Sequence, residues 1–243
     1  SSSSAASDVY KRQAKGIKWC ADQGAKVANL SYEGASSSTI DDAATYLSEH
    51  GGLLFMAAGN AGSFYDAASY PDWDSFIIVG STGKLDTRSG FSNYGPFIDL
   101  VAPGERILST SLDGNYTYRN GTSFSSPMAA GVGAMIFGLN PHFTPDEVKN
   151  ILFGSVVDLG DPGEDDVYGK GRLDAQKAVD MALEYRETAY QSPVPVASVT
   201  YFNAYAPRVV GFDASASTDD GTIVSYQWNF GDGSSGEGMV VEH

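Results

Sequence analysis

The residues best placed to do chemistry lie at positions 120–131, where the sequence is NGTSFSSPMAAG. Gly121 permits a tight, open turn, and Ser123 follows it at the start of an apolar segment with helical character. Backbone N–H groups and the dipole at the start of such a helix would stabilise an oxyanion formed beside the Ser123 hydroxyl. Pro127 is tolerated because the first turn of a helix does not need its missing N–H donor. These residues alone leave two interpretations open, a nucleophilic serine and an ordinary helix-capping serine.

A second candidate is Asn60, which ends the segment Ala-Ala-Gly-Asn at 57–60 directly after an apolar run. The run predicts a strand, and a carboxamide at the carboxyl end of a strand points into the crevice where α/β sheets bind ligands. A Gly-Asn pair is also typical of a simple turn. The residues alone therefore predict either a ligand-binding amide or a turn at Asn60.

The segment from Gly121 to Gly131 resembles the nucleophile motif of the subtilisin-like serine peptidases, the subtilases, which is G-T-S-x-[AS]-[ST]-P-x-x-[AS]-G. Two other serine motifs do not match, because G-x-S-x-G would need glycine in place of Ser125 and S-x-x-K would need lysine in place of Ser126. The resemblance implies a serine endopeptidase in which Ser123 attacks the peptide carbonyl and forms an acyl-enzyme. Its substrates would be proteins or peptides.

Two further segments resemble the groups that surround a subtilase nucleophile. Residues 57–60 are similar to the family's A-A-G-N, which implies that the Asn60 side chain completes the oxyanion hole, and Asn60 lies a fitting 63 residues before Ser123. Residues 27–34, VANLSYEG, are similar to the V-I-N-M-S-L-G-G strand whose end lines the specificity cleft. The residues that the resemblance implies in substrate binding are Ser31, Tyr32, Glu33, Gly34, Ala58 and Gly59.

Glu33 departs from the family pattern, which usually has glycine at that position. In one interpretation the carboxylate crowds or acidifies the first specificity pocket, which predicts a preference for small or basic side chains at P1. In the other interpretation it is a solvated carboxylate at the rim of the cleft. Residues 91–95, 99–104 and 168–171 also resemble subtilase segments, so the resemblance covers about residues 14–182.

The groups that would activate Ser123 are not evident in the sequence. A serine nucleophile needs a base that takes its proton and an acid that orients the base. In subtilases these come from D-[ST]-G and H-G-T motifs that precede the serine, and neither motif occurs here. His50 is predicted to end a helix, His142 to lie in a loop and His243 to belong to a second module. The sequence thus predicts the C-terminal part of a catalytic domain, inactive by itself; the alternative is a catalytically dead subtilase scaffold with a binding module.

The elements that must position these residues alternate between positions 14 and 187. Short runs that are apolar on both faces are typical of parallel strands covered on both sides, and helical segments separate them. The predicted fold class is therefore α/β, with a parallel sheet flanked by helices. Strands are predicted at 27–30, 53–58 and 76–79, and helices at 39–47, from 123 to 139, from 144 onward and at about 174–185.

The composition changes along the chain and predicts four segments. These are a Ser-rich tail or artefactual leader at 1–13, the catalytic part at 14–187, a linker at 188–196 and a second module at 197–243. Residues 212–217, FDASAS, and 228–233, WNFGDG, resemble the F-D-A-S-x-S and W-x-F-G-D-G signatures of the PKD domain. We expect a truncated, partial β-sandwich with strands at 199–202, 209–212 and 223–230. The resemblance implies either binding of an extracellular polymer or an inert spacer.

The overall charge and the cysteine content limit the partners. Fifteen Lys and Arg stand against 30 Asp and Glu, a formal charge of −15, which argues against nucleic acid or anionic lipid as a main partner. One cysteine, Cys20, excludes an intrachain disulfide and a Cys-based zinc site. No apolar run reaches the roughly 18 residues of a transmembrane helix. The resemblance, not a targeting signal, implies secretion; no cofactor is required, and only the family's weak cation site near Asp99 suggests structural Ca²⁺.

Overall fold

The computed structural model describes residues 2–32, 34, 36–189, 193–200, 209–219 and 222–243. They form two compact units, Ser1–Leu183 and Glu184–His243, each described here by itself. The first unit carries every candidate catalytic residue. The helices and strands that begin in it, in chain order, are α1 (Ser2–Asp22), β1 (Val27–Leu30), α2 (Ser38–Glu49), β2 (Leu53–Ala57), β3 (Phe76–Thr82), β4 (Leu100–Pro103), β5 (Ile107–Thr110), β6 (Tyr116–Arg119), α3 (Thr122–Leu139), α4 (Pro145–Gly154) and α5 (Ala175–Ala189).

A four-stranded sheet in the order β1-β2-β3-β4 forms the centre of this unit, and all its described pairings are parallel. Every residue of β2 and of β3 is buried, as expected for strands covered on both faces. The alternation of side chains along β2 divides the core into two layers. Phe55 packs with residues of α3, α4 and α5, while Leu54 and Met56 pack with residues of α1 and α2. The predicted α/β fold is confirmed.

The helix that follows the candidate nucleophile, α3, lies directly on the sheet. Gly121 precedes it with a φ of 150°, a conformation that side-chain-bearing residues rarely adopt. Gly133 faces the ring of Phe55 on β2 so closely that a β-carbon would come 2.6 Å from the ring. The small residues of α3 therefore allow the backbone of the helix to approach the centre of the sheet, which brings the start of α3 close to the carboxyl ends of the strands.

The beginning of the chain differs from the sequence-based expectation. Residues 1–13 were expected to be a tail without regular structure, but α1 begins at Ser2 and runs without interruption to Asp22. Ala14, Ile17 and Ala21 form its buried face, and Tyr10, inside the expected tail, packs against the same core layer. Serine and alanine tolerate helix well enough to extend a helix whose later turns are held by packing. The domain boundaries predicted from composition remain predictions.

The second unit is built from short antiparallel strands. They are β7 (Ser198–Val199), β8 (Gly211–Asp213), β9 (Gln227–Asn229), β10 (Ser235–Glu237) and β11 (Val240–Glu242). One sheet has the order β11-β8-β7 and another pairs β10 with β9. The Phe212 ring contacts the rings of Trp228 and Phe230 at centroid distances of 5.7 and 5.1 Å, and the indole N–H of Trp228 donates to the Gly238 carbonyl. Among the described residues, the strands predicted for this unit are present as shorter pieces. Residues 201–208, which include the end of the strand predicted at 199–202, lie outside the described part.

Part of the predicted linker is attached to the second unit. Val194 bridges Thr218 in an antiparallel pairing. The Val196 N–H donates to the Ser217 hydroxyl at 3.0 Å, and that hydroxyl donates to the Val196 carbonyl. This stretch therefore packs as an edge of the small β-unit.

Candidate active site

The candidate nucleophile, Ser123, lies in the first turn of α3 and is partly exposed. The preceding turn is held in place because the Gly121 N–H donates to the Gly104 carbonyl at 2.9 Å. The Ser123 hydroxyl donates to the carbonyl oxygen of Ser31 at 3.2 Å, and the Ser31 hydroxyl donates to the Ser123 carbonyl at 2.9 Å. The end of β1 and the start of α3, 92 residues apart in sequence, are thus in direct contact.

Asn60 lies exposed just beyond β2. Its Oδ1 accepts hydrogen bonds from the Thr122 N–H at 2.9 Å and from the Thr122 hydroxyl at 3.1 Å. A β-carbon placed on Gly121 would lie 3.5 Å from Asn60 Oδ1, 3.8 Å from Asn60 Nδ2 and 3.7 Å from the Ser123 nitrogen. The Asn60 amide nitrogen and the Ser123 backbone nitrogen therefore both lie beside Gly121. Two hydrogen-bond donors near one position are what stabilisation of a tetrahedral oxyanion requires.

Thr122 belongs to the candidate site, although the sequence analysis gave it no role of its own. Its hydroxyl also accepts a bond from the Gly59 N–H at 3.1 Å, so one side chain joins the end of β2 to the start of α3. Because Thr122 binds the carboxamide oxygen of Asn60 twice, the amide is oriented with its nitrogen as the donor toward other groups. Its position directly before Ser123 was the only signal in the sequence.

Asn93 also escaped the sequence reasoning, although it lies in a segment that resembled a subtilase motif. It is 1% exposed. Its Nδ2 donates to the Ala58 carbonyl at 3.0 Å, and its Oδ1 accepts from the N–H groups of Ala61 and Ser63 at 2.9 and 3.3 Å. Asn93 therefore supports the loop on both sides of Asn60.

The other predicted substrate-binding residues occupy different environments. Tyr32 is 67% exposed, whereas Gly34 is buried beneath the ring of Tyr10. Gly59 adopts a φ of 97°, which favours glycine. Ala58 is 2% exposed, and its N–H donates to the Val79 carbonyl. Glu33 lies outside the described residues, so its predicted effect on the specificity pocket remains a prediction.

The rings of His50 and His243 contact other residues, and His142 is exposed. His50 ends α2, its ring 4.1 Å from the Tyr46 ring and its Nδ1 2.7 Å from the Tyr46 carbonyl oxygen. His142 is exposed before α4. The His243 ring stacks on Phe230 in the second unit and lies 2.8 Å from an Asp232 carboxylate oxygen. In this chain the Ser123 hydroxyl thus bonds to a backbone carbonyl rather than to an imidazole.

Asp99 is the acid that the resemblance associated with a cation. Its carboxylate accepts the Ile78 N–H at 2.7 Å, and burial raises the pKa of the carboxyl group to about 7. Among the described residues, no group of three or more His, Cys, Asp or Glu side chains is arranged to hold a metal ion. Asp99 by itself does not supply the about six to eight oxygen ligands that Ca²⁺ takes, so the expected cation site remains a prediction.

Comparison with known proteins agrees with this geometry. The model of the subtilase family, peptidase S8, matches residues 5–171, and the model of the PKD domain matches residues 191–243. The chain belongs to the subtilase family. The resemblance inferred from the motifs is confirmed for both parts, and serine proteases are the class to which the family's characterised members belong.

Several curated relatives are similar to this subtilase. It is 36% identical over 203 residues to the cell wall-associated protease of Bacillus subtilis (strain 168), an alignment that covers 74% of this chain and 22% of that protein. It is 42% identical to the halolysin-like extracellular serine protease Nep of Natrialba magadii, over 68% of this chain and 30% of the relative. It is 34% identical to subtilisin BL of Lederbergia lenta, over 68% of this chain and 60% of that protein. The chain thus spans between about a fifth and three fifths of these relatives.

Solved structures show the same architecture. A protease from Pseudoalteromonas arctica superposes with a TM-score of 0.61 at 32% identity, over 70% of this chain and 57% of that one. A lanthipeptide protease superposes with a TM-score of 0.63 at 26% identity, over 71% of this chain and 66% of that one. Of the helices in the described part of the subtilase, none has the length and apolar character needed to cross a bilayer.

Proposed function

We propose that this subtilase is a serine endopeptidase that hydrolyses peptide bonds through an acyl-enzyme at Ser123. The observation that carries the proposal is that the Ser123 backbone nitrogen and the Asn60 amide nitrogen both lie beside Gly121. A nucleophile without such donors would still lack stabilisation for the negative charge that develops on the carbonyl oxygen. Family membership supports the reaction class.

The reaction follows from these positions. The Ser123 oxygen attacks the peptide carbonyl while a base removes its proton, and the oxyanion accepts hydrogen bonds from the Ser123 N–H and the Asn60 side chain. The base then returns the proton to the leaving amine, the carbon–nitrogen bond breaks, and water hydrolyses the ester in the same sequence of steps. Extended substrate would lie along the end of β1, where Ser31, Tyr32, Glu33 and Gly34 follow one another.

The base and its orienting acid are proposed to come from outside these 243 residues. The rings of His50 and His243 contact other residues, the Ser123 hydroxyl donates to the Ser31 carbonyl, and the chain covers only part of its relatives. The proposed chemistry requires no cofactor, and structural Ca²⁺ remains a prediction. We further propose that the parent protein is secreted, as two relatives named as cell wall-associated and extracellular would suggest, and that the PKD module binds an extracellular polymer.

An experiment on Ser123 tests the function. The parent protein and the 243-residue chain are treated with a fluorophosphonate probe and assayed on casein, each as wild type, as Ser123→Ala and as Ser38→Ala, an exposed serine on α2. We expect labelling and turnover only in the parent, abolished by Ser123→Ala and retained in Ser38→Ala. A folded parent without either signal would favour the alternative, a catalytically dead scaffold whose PKD module binds. Rapid labelling of the isolated chain would contradict the external base.

A library of peptides varied at P1 tests the role of Glu33 in the active parent. We expect small or basic residues to be preferred, because the carboxylate would reduce the space in the first specificity pocket and make it acidic. A preference for large aromatic residues would show that Glu33 is only a rim carboxylate.

A further inference from the structure

Four hydrogen bonds form one network at the end of β1 and the first turn of α3; three of them cross between the two elements, and Asn29 takes part in two of the four. The Asn29 Nδ2 donates to the Ser31 hydroxyl at 2.9 Å, and the Ser126 hydroxyl donates to the Asn29 Oδ1 at 2.6 Å. The other two bonds are the reciprocal pair between Ser31 and Ser123. Asn29 is therefore one side chain away from the nucleophile along the chain of bonds, and contacts the helix that carries it.

We propose that Asn29 is a positioning residue that acts on Ser123 through Ser31 and Ser126. The inference rests on the proposed function of Ser123 and deepens it. Asn29 itself touches neither the nucleophile nor the place where the oxyanion would form. It sets the distance between the strand along which substrate would lie and the helix that supplies the nucleophile.

The strand alternation places Asn29 where it can do this. Ala28 is buried in the core layer shared with α1 and α2, while Val27 packs against the layer that contains α3. Since successive side chains of a strand point to opposite faces, Asn29 shares the α3 face with Val27. Asn29 is itself exposed at the end of the strand, where a polar side chain is expected, and its two hydrogen bonds to Ser31 and Ser126 are the observation that gives it a role beyond solvation.

The two ends of a carboxamide match the two partners. Ser126 is 0% exposed, so its hydroxyl needs an acceptor, and the Asn29 oxygen supplies it. The Ser31 oxygen accepts the amide N–H, so the single Ser31 proton is directed to the Ser123 carbonyl. An aspartate of the same size could accept from Ser126 but could not donate to Ser31.

This chain of bonds fixes the first turn of α3 at two points, the carbonyl of Ser123 and the side chain one turn later at Ser126. The orientation of the Ser123 N–H and hydroxyl depends on that turn. Because a displacement of about 1 Å in a reacting group can reduce a rate about 100-fold, a modest shift of the turn is enough to lower kcat. Loss of one neutral hydrogen bond is expected to cost about tenfold or less.

The test uses the active parent protein with Asn29→Ala, Ser31→Ala, their double variant and Ser31→Thr. The matched control is Asn150→Ala, an exposed carboxamide on α4. On a peptide p-nitroanilide, with active sites titrated, we expect each alanine variant to lower kcat by about tenfold and to change KM by less than about threefold. The double variant should lose much less than the product of the two effects, because both act through the same bonds. Ser31→Thr, which keeps the hydroxyl, should recover most of the kcat lost in Ser31→Ala.

Several outcomes would overturn the inference. In an active parent, unchanged kcat per titrated site in Asn29→Ala would mean that Asn29 only contributes to folding, as would independent effects in the double variant. A shifted pH midpoint of kcat would indicate a change in the base rather than in positioning. If Asn29→Ala does not fold, equal kcat in Ser31→Ala and Ser31→Thr overturns the inference. An inactive wild-type parent would overturn the proposed function together with this inference, whereas every other outcome leaves the wild type active. The two failures are therefore distinguishable.

Discussion

Replacing Asn93 by alanine should destabilise the subtilase and disturb the loop that carries Asn60. The change removes three hydrogen bonds, two near 3.0 Å and one at 3.3 Å, and leaves the Ala58 carbonyl and two N–H groups without their partner. An unpaired buried group costs about 1–3 kcal/mol, and the two N–H groups are only partly buried, so we expect a total loss of about 3 kcal/mol. For a domain of this size that corresponds to a fall in Tm of about 6–12 °C.

Urea unfolding followed by circular dichroism measures this loss as a lower midpoint with an unchanged m-value. Asn93→Asp keeps the acceptor for both N–H groups but places a carboxylate oxygen against the Ala58 carbonyl, so it should also be destabilised at neutral pH. Asn150→Ala, the exposed control on α4, should stay within about 0.5 kcal/mol of the wild type. If both Asn93 variants unfold within that same margin, the side chain does not hold the loop and the reasoning is refuted.

Two more perturbations test the surroundings of the site. Asp99 has its pKa raised by burial from 3.8 to about 7, so the folded protein keeps a proton that the unfolded chain has lost between about pH 4 and pH 7. The free energy of unfolding of the wild type should therefore fall as the pH rises through this window. Asp99→Asn does not titrate, so its stability relative to the wild type should increase over the same pH range. A stability difference that stays constant with pH would contradict the burial of the carboxyl group. Gly104→Ala would place a β-carbon 2.8 Å from the Gly121 carbonyl oxygen and onto the hydroxyls of Ser81 and Ser125. It should cost about 1–3 kcal/mol of stability in thermal unfolding, and a wild-type Tm would show that the turn before Ser123 moves freely.

The parts of the molecule that could be predicted are those encoded in short windows. The apolar runs at 53–58 and 76–79 predicted buried strands, and the structure has β2 and β3 there. The segment Thr-Pro-Asp-Glu predicted the start of α4, which begins with a capping box at Thr144. The start of α1 could not be predicted from the Ser-rich residues, because their helical state depends on packing by later turns. The antiparallel hairpin of β5 and β6, which precedes Gly121, was likewise not predicted.

The sequence by itself determined the chemical identities at the candidate site: a serine after a glycine turn at the head of an apolar helix, and a carboxamide after a buried strand. It also determined the α/β class, because hydrophobic periodicity is a local property. Only the tertiary structure decided that Thr122 orients Asn60, that Asn93 supports the loop around it and that Asn29 reaches Ser126 across 97 residues. Those partnerships depend on the register of β1, β2 and β3 and on the height of α3 above them, and no window of sequence contains both members of such a pair.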